Sequence, residues 1–181
     1  VTENAVQHVP VVPVVIVGAG PTGMTAATLL AQYGLECLVL DRWPGVYPQP
    51  RAVHLDDEIY RVIARLGIAD EFAAISRPTL GLRLLDNRSR RIGVLAEFNR
   101  DPSRSPNGFP QANMFDQPEL EALLRANLKR YPNARLRGDA EVTGLTDRGN
   151  CIRVTFTDRS DGDVHHIDAG YVLGCDGANS I

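Results

Sequence analysis

The chain has 181 residues, 44% hydrophobic and 23% charged, with a formal net charge of −3. That is the composition of a globular protein with room for one domain, or one and a small lobe, and its sign argues against nucleic-acid binding. No apolar run approaches the ~20 residues that span a bilayer.

The three cysteines, Cys37, Cys151 and Cys175, lack metal-ligand spacing, and no Lys or Arg precedes Arg42 to begin a targeting segment. Cys37 and Cys175 fall in apolar runs, as buried reduced thiols do. The expected location is cytoplasmic.

Residues 1–10 are polar and unpatterned and read as a flexible arm. Val11 to Val17 is almost wholly β-branched, the pattern of a strand buried on both faces of a parallel sheet. Met24, Ala27, Leu30 and Ala31 recur at helical spacing until Gly34, and Cys37 to Leu40 reads as a second buried strand. These pieces make a β-α-β unit.

Trp43 to Pro50, with three prolines and a glycine, reads as loop. Asp56 to Leu66 reads as a helix with acids in its first turn and Arg61 and Arg65 towards its end, an order that suits the helix dipole. Leu80 to Asp86 and Arg91 to Phe98 predict a hairpin around Asn87, with Arg88, Arg90 and Arg91 as a solvated tip. Residues 99–113 read as loop. Asp116 to Arg130 predicts a helix, with Asp116 and Glu119 in a capping-box pattern and Pro118 in the first turn.

Short strands are expected near 134–137, 141–147, 151–157 and 163–168, with Asp161-Gly162 as a hairpin signal. Tyr171 to Cys175 reads as a separate, final buried strand. The His165-His166 pair lies in an alternating strand without carboxylate support, so no metal site is expected.

Gly18, Gly20 and Gly23 form G-x-G-x-x-G between the first strand and the first helix. In this pattern the first glycine allows the turn and the second lets the backbone approach a pyrophosphate. The third lets helix and sheet pack closely, and the helix start points free N–H groups at the anion. Asp41, 18 residues after Gly23, ends the second strand where a carboxylate can accept both hydroxyls of an adenosine ribose. Dinucleotide binding follows, but the glycines alone do not separate NAD from FAD.

Arg51-Ala52 after the proline-rich loop, Gln117 at a helix start and Asp176-Gly177 after a distant strand together resemble the class A FAD-dependent aromatic hydroxylases. The run from Pro50 through Glu58 is similar to the 3-(3-hydroxyphenyl)propionate hydroxylase group. The resemblance implies an α/β, Rossmann-like FAD-binding fold with a parallel sheet and a small antiparallel meander at 141–168. It implies FAD as cofactor, NAD(P)H as reductant, and O₂ and a small aromatic as substrates. Gly18, Gly20, Pro21, Thr22 and Gly23 would hold the pyrophosphate and Asp41 the ribose. Arg51 would reach the phosphate and ribitol region, Gln117 would be a second polar clamp, and Asp176 would serve both FAD and NAD(P)H.

Other readings stand beside these. Arg42 borders the adenine or faces water, Arg51 is also read as a solvated loop cation, and Gln117 as an ordinary helix-start residue. Some relatives place an acid two positions after the motif arginine, where this chain has Val53. His54 is then the nearest candidate proton shuttle, or a structural histidine.

The chain ends five residues after Asp176 and holds no Gly-Asp pair in the place of the family's second FAD motif. Residues 11–181 are accordingly expected to be an incomplete N-terminal FAD-binding domain without the substrate lobe, inactive alone. A non-catalytic FAD-binding module is the alternative. An NAD-dependent dehydrogenase leaves Arg51 and Asp176 unexplained.

Overall fold

The computed structural model describes residues 11–86, 93–101, 105–178 and 180–181. The expected arm, the Asn87 turn and the Arg88, Arg90 and Arg91 tip lie outside these residues. The chain divides into two compact units, one of Val1–Tyr47 with Leu124–Ile181 and one of Pro48–Leu123.

In the first unit, β1 (Val12–Val17) leads through the glycine turn into α1 (Pro21–Gln32) and on to β2 (Cys37–Leu40). The strands pair in parallel from Val14↔Cys37 to Val17↔Leu40, and β8 (Ala134–Arg137) adds in parallel to the other side of β2. The expected β-α-β unit is present. Its helix buries Met24, Ala27 and Ala31, and Gly34, at φ +78°, follows the last turn. Cys37 is fully buried, with Sγ 3.7 Å from the Ala27 carbonyl oxygen. Burial, assisted by Glu36, pushes its thiol pKa up.

Three antiparallel strands complete the sheet: β9 (Ala140–Asp147), β10 (Ile152–Asp158) and β11 (Val164–Gly174), in the order β8-β2-β1-β11-β10-β9. The meander therefore shares a sheet with the parallel strands. The two strands expected at 163–168 and 171–175 are one strand that changes partner at Ala169. That residue pairs with Ile152 of β10 and with Val12 of β1 and is fully buried. Beyond it β11 pairs with β1 alone, so side chains there have strand neighbours on one side only. Tyr171 is 72% exposed, which corrects the expectation of a buried strand at 171–175.

The main core cluster joins Val15, Val17 and Leu40 from the parallel strands to Val142, Val154 and Phe156 from the meander. Both halves of the sheet thus share one apolar core. Arg153 and Asp168, opposite each other on β10 and β11, form two bonds of 2.7 Å, Nε to Oδ1 and Nη2 to Oδ2.

The second unit holds β3 (His54–Asp56), α2 (Asp57–Arg65), α3 (Ala69–Ile75), β4 (Ser76–Pro78), β5 (Gly81–Asp86), β6 (Gly93–Asn99) and β7 (Ala112–Phe115). It also contains the start of α4 (Gln117–Leu128). Asp56 stands just outside α2 and caps it, accepting from the Ile59 N–H at 2.9 Å. The segment β7, whose first two residues fall in the expected 99–113 loop, is the middle strand between β3 and β4. A four-residue strand carries too little periodicity to be read, and its Ala112 and Asn113 are buried through pairing on both sides. Tyr60 packs edge-on to Phe72 at 4.9 Å and stacks on Phe109 at 4.5 Å, forming the unit's aromatic centre.

The expected hairpin is present as β5 and β6, a two-stranded sheet with Leu82↔Phe98 and Leu84↔Ala96 opposed. Among the described residues no helix is long and apolar enough to cross a membrane.

Candidate functional site

The first unit assembles the glycine turn at the carboxyl ends of β1 and β2. Gly18 sits at φ +100°, where a side chain is strained. A β-carbon there would lie 2.5 Å from the Cys175 carbonyl oxygen and 2.8 Å from Asp176 Cα. At Gly23 a β-carbon would overlap the Gly18 carbonyl oxygen. Gly20 faces open space and occupies the N-cap position of α1 without a side-chain cap. Pro21 has no N–H, so Thr22 and Gly23 present the first-turn N–H groups, and no capping side chain covers them. The turn is a cradle in which small residues are required and a helix start faces outward. That suits an anion.

Asp41 follows β2 directly. Its Oδ2 accepts the Ala19 N–H at 2.5 Å and its Oδ1 accepts the Trp43 N–H at 2.8 Å. The carboxylate therefore locks the middle of the glycine turn to the loop after β2. An ionised carboxylate has about four acceptor positions, so two remain for ribose hydroxyls. The spacing of Asp41 from the glycines suggested the ribose role; its turn-fixing bonds have no sequence signal.

Asp176 belongs to the same assembly through the backbone. Cys175 N–H donates to the Val17 carbonyl at 2.7 Å, which lays the Asp176-Gly177 segment beside Gly18. The Asp176 carboxylate accepts from Ser180 Oγ at 2.7 Å and from the Ile181 N–H at 3.3 Å. Arg42 is exposed, and its guanidinium carbon stands 5.7 Å from the Trp43 ring centroid.

In the second unit Gln117 is 8% exposed and its Oε1 accepts the N–H groups of both Arg51 and Ala52, each at 2.7 Å. Its Nε2 donates to Oε1 of the buried Glu121 at 2.8 Å. Gln117 thus fixes the backbone that carries the Arg51 side chain. It reaches that arginine's main chain directly and is itself held by a glutamate one turn on, a partner absent from the expectations above. Glu121 is legible only as i+4 from Gln117, an ordinary helix spacing. His54 is exposed on β3, opposite Met114. On the meander, His165 stacks on Phe156 at 5.2 Å while His166 Nδ1 lies 3.1 Å from Thr155 Oγ1, so the two rings serve different neighbours. Among the described residues no group of three or more His, Cys, Asp or Glu could hold a metal ion.

The model of the FAD binding domain family matches residues 11–181. The chain is 35% identical over 167 residues to the 3-(3-hydroxy-phenyl)propionate/3-hydroxycinnamic acid hydroxylase of Burkholderia cenocepacia, covering 92% of this chain and 30% of that protein. It is 37% identical over 169 residues to the second such hydroxylase of Burkholderia vietnamiensis, again covering 92% and 30%. The crystal structure of the flavin-dependent monooxygenase PieE, in complex with FAD and substrate, superposes with a TM-score of 0.80 at 30% identity. That match covers 94% of this chain and 31% of PieE. The chain spans about 30% of the length of the curated relatives it matches. With the family model covering nearly every residue from the first strand to the last, the chain belongs to the FAD-binding domain family of the flavin monooxygenases.

Proposed function

We propose that this chain is the cofactor-holding part of an FAD-dependent monooxygenase that hydroxylates a phenolic acid or related aromatic at the expense of NAD(P)H and O₂. The observation that carries the reading is the cradle made by Gly18, Gly20, Gly23 and Asp41, set beside the Asp176 segment. Side chains are excluded at Gly18 and Gly23, a helix start faces outward, and a carboxylate with spare acceptor capacity stands at the ribose position.

In this reading the N–H groups at Thr22 and Gly23 hold the pyrophosphate and Asp41 accepts from the ribose. Arg51, its backbone fixed by Gln117, supplies positive charge towards the phosphate and ribitol. Asp176, on the segment beside Gly18, serves both FAD and NAD(P)H binding. FAD, when bound, supplies the electron transfer from NAD(P)H and the activation of O₂. The protein's part is to orient the ring and exclude water. His54, next in sequence to Val53, is the candidate for moving the phenol proton.

Because the relatives that carry the activity are so much longer, we further propose that the 181 residues alone bind FAD but do not hydroxylate. Calorimetric titration with FAD and with NADH tests the first half: clearly tighter binding of FAD is expected, and equal or reversed affinities would sink the reading. Incubation with FAD, NADPH, O₂ and 3-(3-hydroxyphenyl)propionate tests the second. Hydrogen peroxide without catechol is expected, and stoichiometric catechol would show that the 181 residues suffice.

A further inference from the structure

In the second unit a carboxylate occupies a position that packing alone would give to an apolar residue. Glu121 lies on α4 next to the buried Leu120 and is itself only 5% exposed. A carboxylate is costly to take out of water unless it is hydrogen-bonded. Here its Oε1 accepts from Gln117 Nε2 at 2.8 Å, and both side chains are buried.

That bond decides the sense of the Gln117 amide. The two ends of a carboxamide are nearly equal in size, but the oxygen only accepts and the nitrogen only donates. With Nε2 on Glu121, Oε1 meets the Arg51 and Ala52 N–H groups at 2.7 Å each, so donor faces acceptor at all three contacts. Rotated half a turn, the amide would set its oxygen against the carboxylate and its N–H groups against the two backbone donors. All three contacts would then repel, and burial leaves no water to relieve them. An apolar residue at position 121 would remove the acceptor that enforces the first arrangement.

The two N–H groups belong to the peptide units on either side of Arg51 Cα. Peptide units are planar, so fixing both of them fixes φ and ψ at Arg51, and with them the direction in which its side chain leaves.

We propose that Glu121 is a positioning residue for the cofactor: its carboxylate sets the sense of the Gln117 amide, and through it the direction of the Arg51 side chain. The proposal rests on the FAD reading above, in which Arg51 serves the phosphate and ribitol region. ADP carries the ribose and phosphates assigned to Asp41 and the glycine turn, but neither ribitol nor flavin. Discrimination between FAD and ADP is therefore the property that Glu121 controls.

The test is calorimetry of FAD and of ADP on the whole 181-residue chain, with amide hydrogen exchange read at Arg51 and Ala52. Glu121→Leu, which fills the position without an acceptor, should weaken FAD about tenfold and ADP less than about threefold. Glu121→Gln, whose side-chain oxygen can still accept from Gln117, should hold FAD within about threefold of wild type. In an Arg51→Ala background Glu121→Leu should cost FAD less than about twofold, because the residue through which it acts is gone. In the wild-type chain the Arg51 and Ala52 N–H groups should exchange slowly, and in Glu121→Leu about tenfold faster, with β1 and β2 unchanged.

An unchanged FAD affinity, equal losses of FAD and ADP, no rescue by Glu121→Gln, or additive losses in the double variant would each overturn the proposal and leave the FAD reading standing. Fast exchange of the two N–H groups in the wild-type chain would overturn it even if Glu121→Leu does not fold. A wild-type chain that binds neither FAD nor ADP would overturn the FAD reading, and the proposal with it.

Discussion

The two units spend their apolar residues differently. In the first, Phe156, Val154, Val15 and Leu40 are at most 1% exposed and belong to one cluster shared by the two halves of the sheet. In the second, the β5–β6 ribbon carries Leu82, Leu84, Leu85, Val94, Leu95 and Phe98, all between 46% and 64% exposed. A two-stranded ribbon is marginal in isolation, and an apolar residue that covers nothing contributes little. The contrast extends to polar groups. The first unit fixes its turn mainly by backbone pairing and Asp41, whereas the second fixes the Arg51 segment through one buried amide side chain. Core packing and the fixing of a turn coincide in the first unit and separate in the second.

The largest effect expected from this contrast is at Phe156. Phe156→Ala should cost about 3–5 kcal/mol in denaturant unfolding, because a fully packed ring leaves a cavity. A cost below about 1 kcal/mol would mean the shared core is loosely packed and would break the comparison. Gly18→Ala follows, at about 2–4 kcal/mol, from backbone strain at φ +100° and the approach to the Cys175 carbonyl, and it should also abolish FAD binding.

Gln117→Ala should cost about 2 kcal/mol, since it strands the Arg51 and Ala52 N–H groups and removes a donor from buried Glu121. Thermal melts of the variant should show that loss, and a melt within a degree of wild type would mean water replaces the amide. Asp41→Ala should weaken FAD at least tenfold, by losing charge-assisted ribose bonds together with the Ala19 anchor, while the sheet stays folded by circular dichroism. Unaltered affinity in calorimetry would reduce Asp41 to a strand-end residue.

A pH effect is expected from the meander. The Arg153 guanidinium bonded to Asp168 holds that carboxyl below the usual carboxylate range, and hydrogen bonds from Ser160 and then Arg137 do the same at Asp158. A depressed folded pKa contributes stability above the unfolded value of about 4 and loses it as pH falls through the folded value. Asp168→Asn should therefore flatten the acid side of the stability profile below about pH 4. An unchanged profile would assign acid sensitivity elsewhere. The smallest effect is at Phe98, where Phe98→Ala should change stability by less than about 0.5 kcal/mol. Its contrast with Phe156→Ala is the sharpest measure of the difference between the units.

Much of the first unit was legible because its signals are local. The β-branched run before Gly18, the glycine spacing and the position of Asp41 each sit within one β-α-β unit, and the steric demands at Gly18 and Gly23 act over a few residues. The second unit was read less well. The segments β3, β4 and β7 are three or four residues long, below the length at which alternation is visible, and α3 escaped notice. The continuity of β11 between the strands expected at 163–168 and 171–175 has no local signal, because there the strand exchanges β10 for β1.

By itself the sequence determined the dinucleotide turn, its acid and the order of the family motifs, because each depends on backbone conformations and side-chain sizes at fixed spacing. Only the tertiary structure decided that the meander and the parallel strands share one core, that Gln117 holds the Arg51 backbone through two N–H groups, and that Arg159 comes to rest on Trp43. Those contacts join residues at least 65 positions apart, and no local preference encodes a partner so distant. They arise when burial of apolar surface brings the segments together and leaves each buried polar group to find the acceptor or donor that packing has placed beside it.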